Sequence, residues 1–266
     1  KNNFSFALSM FLIALVASIN AQMDRIFLSK LLPLDILGFY TIAFSISRII
    51  NVVVGSLNTA NLPKITSLFT SNKEDNAIEI FDLFFKIITI FIISFGSIMI
   101  LYGEEIIFIW TNNLELASNT GAYIPYIILG TSALAFQGLF YNIAIANKFM
   151  IYNNIIGISS LIITVPLYFF LIKKYGGIGA GLGFAITQII ILLIYSFMIN
   201  KKFIKKNPFA YLFIILGPIL FTAFFNFITY YSSLIQNSRG FILFYISMIF
   251  LIVFSINTLM FFSLKK

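Results

Sequence analysis

An all-α protein that crosses a membrane many times is what this sequence predicts, and three observations predict it. Of its 266 residues 60% are hydrophobic and only 10% charged, and mean hydropathy is +1.01. A soluble domain of this length lacks the interior to hide so much apolar surface. Apolar runs long enough to span a bilayer as a helix, ~20 residues each, recur along the whole chain.

Eight runs qualify: 4–31, 37–61, 79–102, 119–146, 150–172, 177–200, 209–230 and 239–262. The first, at ~42 Å of helix, exceeds a hydrocarbon core of ~30 Å, so it should tilt, kink or project. Pro33, Gly103, Gly121, the stretch Lys173-Lys174-Tyr175-Gly176-Gly177 and Asn207-Pro208 punctuate the breaks. Pro125, Pro166 and Pro218 are expected to kink their helices. The polar segment 63–78 reads as a short interfacial helix. It and 103–118 are the longest connections expected. Gly179 and Gly183 form a GxxxG pair, which predicts close helix packing. "GGIGAGLG" (176–183) has neither the GxGxxG spacing nor the preceding strand of a nucleotide loop.

Charge sets the orientation. With a cytoplasmic N-terminus, eleven lysines fall inside, among them Lys64, Lys73, Lys148 and the "KKFIKK" run at 201–206. Only Lys30, Lys173, Lys174 and Arg239 fall outside. This bias makes both termini cytoplasmic. "KKFIKK" is then a topology determinant, with a lipid-headgroup site as the lesser reading. The net charge of +8 reflects such loops beside anionic lipid and does not call for nucleic acid. Zero Cys and zero His exclude disulfides and thiolate nucleophiles and remove the commonest base and metal ligand. No cofactor and no metal is implied.

Two arginines remain inside the spans. Ser18, Gln22, Arg25 and Ser29 share one face of the first run, while Asn20 and Asp24 form a second strip. In the second run Thr41, Ser45, Arg48, Asn51, Gly55 and Asn58 make one continuous polar stripe. Interhelical hydrogen bonding explains the Ser and Thr residues, with Asp24 pairing one Arg. For Arg48 a water-filled cavity fits better, because two arginines against the single Asp24 leave surplus positive charge. An anionic ligand answers that surplus, and Arg is a bidentate donor to phosphate. Gln137 and Asn142 either extend the cavity or pack between helices.

At these residues the sequence resembles a family. "QMDRIFLSKLLPLDILGFYTIAFSISRI" (22–49), "NLPKITSLF" (61–69) and "YGGIGAGLGFAIT" (175–187) are similar to segments of Wzx-type polysaccharide repeat-unit flippases. Those belong to the multidrug/oligosaccharidyl-lipid/polysaccharide exporter superfamily. The resemblance implies two six-helix lobes around a cationic cavity of alternating access. Residues 1–206 would be the second lobe, 207–266 an added helical hairpin, and the first lobe would precede Lys1. It implies an inner-membrane transporter, not an enzyme, acting on an undecaprenyl-diphosphate-linked glycan such as an O-antigen repeat unit. Its partners would be the lipid bilayer and other polysaccharide-assembly membrane proteins. By motif, Asp24 and Arg25 match the family pair, Asp24 as an ion-pair or coupling residue. Arg48 rests on the stripe, as do Gln22, Asn51, Asn58 and Gln137 as cavity candidates. A drug or cation exporter, an envelope-polysaccharide enzyme and a scaffold remain as alternatives. The exporter would want more cavity acid, and the enzyme a larger external loop and a base.

Overall fold

A computed structural model describes Ser18, residues 22–229 and residues 238–262. The helices are α1 (Met23–Leu31), α2 (Leu34–Thr70), α3 (Glu74–Thr111), α4 (Leu114–Gly121), α5 (Ile124–Ala146), α6 (Met150–Tyr175), α7 (Gly177–Ile199), α8 (Pro208–Thr229) and α9 (Arg239–Phe262). A π-helical turn, Asn200–Ile204, follows α7. No strand occurs among the described residues. The chain is an all-α, multi-pass membrane protein. Seven of these helices coincide with the expected spans from 37–61 onward. The first expected span, 4–31, is described only at Ser18 and from Gln22, and α1 starts where Gln22 leaves helical geometry (φ −115°, ψ 5°).

Three connections differ from expectation. Residues 63–78 are not an interfacial helix: α2 continues to Thr70 and α3 starts at Glu74, joined by a turn with Asn72 at φ 56°. Pro63 leaves α2 unbroken, because Ile65 beyond it is fully buried and keeps the last turns packed. With 37 residues, α2 is ~55 Å long and must project from a ~30 Å core. Residues 103–118 are likewise mostly helical. α3 ends in a left-handed cap at Asn112, and Asn113 Oδ1 then accepts from the Leu116 N–H at 3.0 Å to open α4. Pro125 kinks nothing, since it sits in the first turn of α5, where a missing N–H costs no hydrogen bond. The bend in α3 falls instead at Tyr102 (φ −114°, ψ 20°).

Lipid is as apolar as a leucine side chain, so close packing and interhelical hydrogen bonds hold such helices together. α5 is the central helix, packed on α2, α3 and α7. Gly130 of α5 leaves space for the Phe184 ring and the Ala185 backbone of α7. Gly179 lies against the Leu171 backbone and Gly183 against the Tyr168 ring, bringing α6 and α7 together. Phe81, Phe85, Phe140 and Tyr211 form an aromatic cluster tying α8 to α3 and α5, with Phe85 and Tyr211 4.7 Å apart.

The α8–α9 hairpin is pinned to α3 at three levels. Asp82 accepts from Tyr211 Oη at 2.8 Å and pairs with Lys206. Asn257 Nδ2 donates to Ser94 Oγ at 3.0 Å and to Thr222 Oγ1 at 3.2 Å, all three residues being buried. Tyr102 and Tyr245 both donate to the Thr229 carbonyl. The lysine run also makes specific contacts. Lys205 lies 3.7 Å from Glu74, and Lys202 sits 3.7 Å over the Phe149 ring.

Two glycines predict opposite outcomes. A Cβ at Gly179 would strike the Leu171 carbonyl, whereas one at Gly38 meets open space. Gly179→Ala should destabilise by about 1–3 kcal/mol, and Gly38→Ala should stabilise by about 0.5–1 kcal/mol. Thermal unfolding midpoints in detergent, moving down and up respectively, check this.

Candidate functional site

α2 presents three sectors along its length. Tyr40, Ala43, Ser47, Ile50 and Val54 recur at three- and four-residue spacing and are buried in the bundle. Ile49 and Val53 form an exposed apolar sector, and exposed Val52 stands on the same face as Arg48, one turn on. Between the two runs the polar strip, in which Thr41, Ser45, Arg48 and Gly55 are exposed and Asn51 and Asn58 half-buried.

The strip's hydroxyls turn back into their own helix, Thr41 Oγ1 to the Leu37 carbonyl at 2.7 Å and Ser45 Oγ to Thr41 at 2.9 Å. The guanidinium and amide groups are therefore what it offers to a ligand. Among the described residues Arg48 makes no ion pair; those found there are Lys205–Glu74 and Lys206–Asp82.

Arg25 comes from α1 to the same face. Its guanidinium carbon lies 4.5 Å from the centroid of the Phe44 ring, and Phe44 is one turn from Arg48 on α2. Nη1 donates to the exposed Gln22 at 2.6 Å, and Nε is buried without a partner among the described residues. Gln22 and Arg25 thus meet α2 at Phe44, one turn from Arg48.

Asp24 points elsewhere. It is 3% exposed. Tyr40 donates to its Oδ2 at 2.7 Å and the Arg25 backbone N–H to its Oδ1 at 2.9 Å. Among the described residues no Arg side chain lies within ion-pairing distance of it. That carboxylate is held by a tyrosine and makes no ion pair with either guanidinium among the described residues.

Gln137 and Asn58 sit at helix seams. Gln137 is 8% exposed and donates to the Gln188 carbonyl at 2.8 Å and to its Oε1 at 3.0 Å, joining α5 to α7. The Asn58 amide lies over Gly138, and the Asn58 backbone carbonyl accepts from Asn142 Nδ2 at 2.7 Å, joining α2 to α5. Asn61, three residues further along α2, is buried with neither amide atom hydrogen-bonded among the described residues.

Sequence reasoning missed Tyr40, Phe44 and Gln188. Tyr40 stood inside the segment 22–49 that carries the family resemblance, so a signal existed without a role. The approach of Phe44 to Arg25 depends on how the chain reverses at Leu32-Pro33, which periodicity within either helix does not encode.

Neither a family model nor a curated protein sequence matches the chain. Its fold is similar to a solved structure described as lipid II flippase MurJ in an inward closed conformation. The TM-score is 0.76 at 19% identity, covering 96% of this chain and 53% of that one. The chain therefore spans about half the length of that flippase and has the fold of an all-helical membrane transporter.

Removing the hydroxyl beside Asp24 tests the site's frame. Tyr40→Phe leaves a buried carboxylate short of a donor and should cost about 1–3 kcal/mol. Combining it with Asp24→Leu should recover part of that loss, because both partners are then apolar. Thermal unfolding of the single and double variants in detergent measures the coupling.

Proposed function

We propose that this chain is the second lobe of a flippase that carries an undecaprenyl-diphosphate-linked oligosaccharide repeat unit across the bacterial inner membrane for surface polysaccharide synthesis. Residues 207–266 are its added hairpin, and the first lobe lies across the strip from α2. One observation carries the reading. Arg48 is exposed on α2 within its apolar run, Arg25 lies over Phe44 one turn away, and neither makes an ion pair among the described residues.

Uncancelled guanidinium charge in an apolar slab is costly, by ~2.5–3.5 kcal/mol per residue on insertion scales. A diphosphate offsets that cost and matches the fork geometry of Arg. Asn51 and Gln22 supply neutral hydrogen bonds at the margins. An apolar cavity of about 430 Å3 between α3, α5 and α8, walled by Ile93, Ile128, Phe136 and Ile219, supports a substrate with a long lipid chain.

Asp24 is a structural carboxylate in this reading, holding α1 to Tyr40. That weakens the drug- or cation-exporter alternative, which needs an acid facing the cavity. A second substrate has specific support, since the similar fold is described as that of a lipid II flippase, and the strip suits any polyprenyl diphosphate.

Arg48→Ala in the complete protein should cut export by about 10- to 100-fold, the worth of a charge-assisted hydrogen bond of ~1.5–3 kcal/mol, while abundance holds. Arg48→Lys should recover only part, lacking the planar fork. The measurement is complementation of surface polysaccharide in a strain lacking its repeat-unit flippase, beside rescue of a strain depleted of its lipid II flippase. Rescue of the second strain alone assigns lipid II. Wild-type export by abundant Arg48→Ala protein returns Arg48 to a packing role.

The lysine asymmetry places both termini in the cytoplasm in this reading. In this Cys-free chain, Lys201→Cys should resist an impermeant thiol reagent applied outside intact cells, and Lys173→Cys should react. The reverse pattern inverts the topology.

A further inference from the structure

The lysine run 201–206 is divided by what it touches. Lys205 and Lys206 reach carboxylates of α3, Glu74 and Asp82. Lys202 reaches instead the turn between α5 and α6. Its Nζ stands 3.7 Å from the centroid of the Phe149 ring and 5.6 Å from that of Phe203. Those two rings meet edge to face at 5.4 Å. Lys148 precedes Phe149 and Lys201 precedes Lys202, so three lysines share the corner where α5 and α7 end. Lys148 and Lys201 are exposed, and neither makes an ion pair among the described residues.

The backbone singles out Lys148. Among the described residues, those other than glycine with positive φ are Asn72, Asn112, Lys148 and Lys205. Asparagine tolerates left-handed geometry, but lysine carries a steric cost there, and glycine is the usual cap. The Lys148 N–H bonds the Ile145 carbonyl at 2.9 Å and the Phe149 N–H the Ala144 carbonyl at 2.8 Å, the pattern of a glycine-type cap. Lys205 puts its charge on Glu74. Lys148 takes the same geometry, φ 57°, with no acid paired to it among the described residues. The negative ends of α5 and α7 attract such lysines but do not account for the aromatic pair. Phe197 lies one turn before Lys201 on its face of α7, and Ile194 a turn further in. Both are exposed, so a positive, ring-floored corner continues into an apolar lane.

We propose that Lys148 and Lys201, with Lys202 held over its aromatic rings, bind the phosphate of an anionic glycerophospholipid whose acyl chain lies along Phe197 and Ile194. A water-soluble anion has no use for that apolar lane, whereas a lipid occupies both parts. The cation–π contact positions Lys202 without neutralising it, so the corner stays positive. An ammonium is a point charge that turns to any phosphate oxygen, which suits a mobile headgroup better than the planar fork of arginine. The corner is separate from the arginine strip and selects the lipid around the protein, not the lipid it carries. Assigning this headgroup to the inner leaflet, where anionic lipid attracts basic segments, rests on the topology proposed above. The binding itself does not.

Brominated lipids quench a nearby tryptophan, which makes this one corner readable. The complete protein carries Phe197→Trp, with every other tryptophan, Trp110 included, replaced by Phe. It is reconstituted in phosphatidylcholine vesicles containing dibrominated phosphatidylglycerol or dibrominated phosphatidylcholine. The phosphatidylglycerol should quench at the lower mole fraction. Lys148→Gln and Lys201→Gln should each cut that preference by about 5-fold, the worth of one lysine near an anionic surface. Lys174→Gln, exposed at the opposite end of α6, should leave it unchanged. Ile194→Trp is the second reporter should the first impair insertion. Equal quenching by the two lipids without the lysine substitutions overturns the proposal. An equal loss from Lys174→Gln shows general charge attraction and overturns it too. Loss of the preference to soluble glycerol phosphate, but not to chloride at equal ionic strength, makes free phosphate the ligand and overturns the lipid. Quenching reads binding alone, so its outcome is independent of whether Arg48→Ala stops export.

Discussion

The absence of water from the bilayer core governs this molecule more than any single contact. Every polar group carried into that slab must find its partner within the protein. The helices meet this in graded ways. Backbone groups bond within each helix, and many Ser and Thr hydroxyls bond a carbonyl one turn back, as Thr89 and Thr131 do. Amides reach across to other helices, as Gln137 does to Gln188 and Asn257 to Ser94 and Thr222. The one carboxylate at the start of α1 takes a tyrosine hydroxyl and a backbone amide. Against that background an exposed Arg48 that pairs with no carboxylate among the described residues is informative, because a charge costs more in that slab than the few buried amides and hydroxyls left without partners, such as those of Asn61.

α2 joins fold to site. Its buried stripe from Tyr40 to Val54 packs the helix on α5, and so fixes its rotation. That rotation is what exposes Arg48. Tyr40 also holds Asp24, so the residue that seats α2 is the one that orients α1, and α1 in turn carries Arg25 over Phe44. Positioning two cations through buried aromatic and polar contacts keeps them close without a neutralising acid between them. Were Asp24 to face the strip, the surplus charge that the proposed function depends on would fall by half.

Much of the fold was legible because membrane helices advertise themselves by length and hydropathy. The runs from 37–61 to 239–262 each coincide with a long helix. Boundaries were less legible where helices outrun the apolar run. Lys64 and Glu104 read as loop on polarity alone, yet α2 and α3 continue through them, and Ile65 and Ile107 on the same turns are fully buried. Packing, not hydropathy, sets where those helices stop. The strip itself was legible from spacing within α2. Its relation to α1 was not, because the Leu32-Pro33 reversal decides whether Arg25 or Asp24 faces Tyr40. Gln137 illustrates the same gap. A glutamine in a span has the same sequence signature lining a cavity or bridging two helices, and only its neighbour Gln188 distinguishes them.

The division between what α2 buries and what it exposes also bears on selectivity. With its hydroxyls turned into the backbone and Asn58 half-buried over Gly138, the strip offers charge from its arginines and few neutral groups beside the Asn51 and Gln22 amides. On the proposed reading, this surface recognises what all polyprenyl-linked glycans share, the diphosphate, and discriminates little among sugars. Discrimination among glycans then falls to groups facing α2 from across the cavity. An electrostatic strip of this kind holds its ligand by charge and fork geometry, both independent of the glycan's shape. The same two arginines therefore suit a carrier that must accept a bulky, variable head group while gripping an invariant linkage.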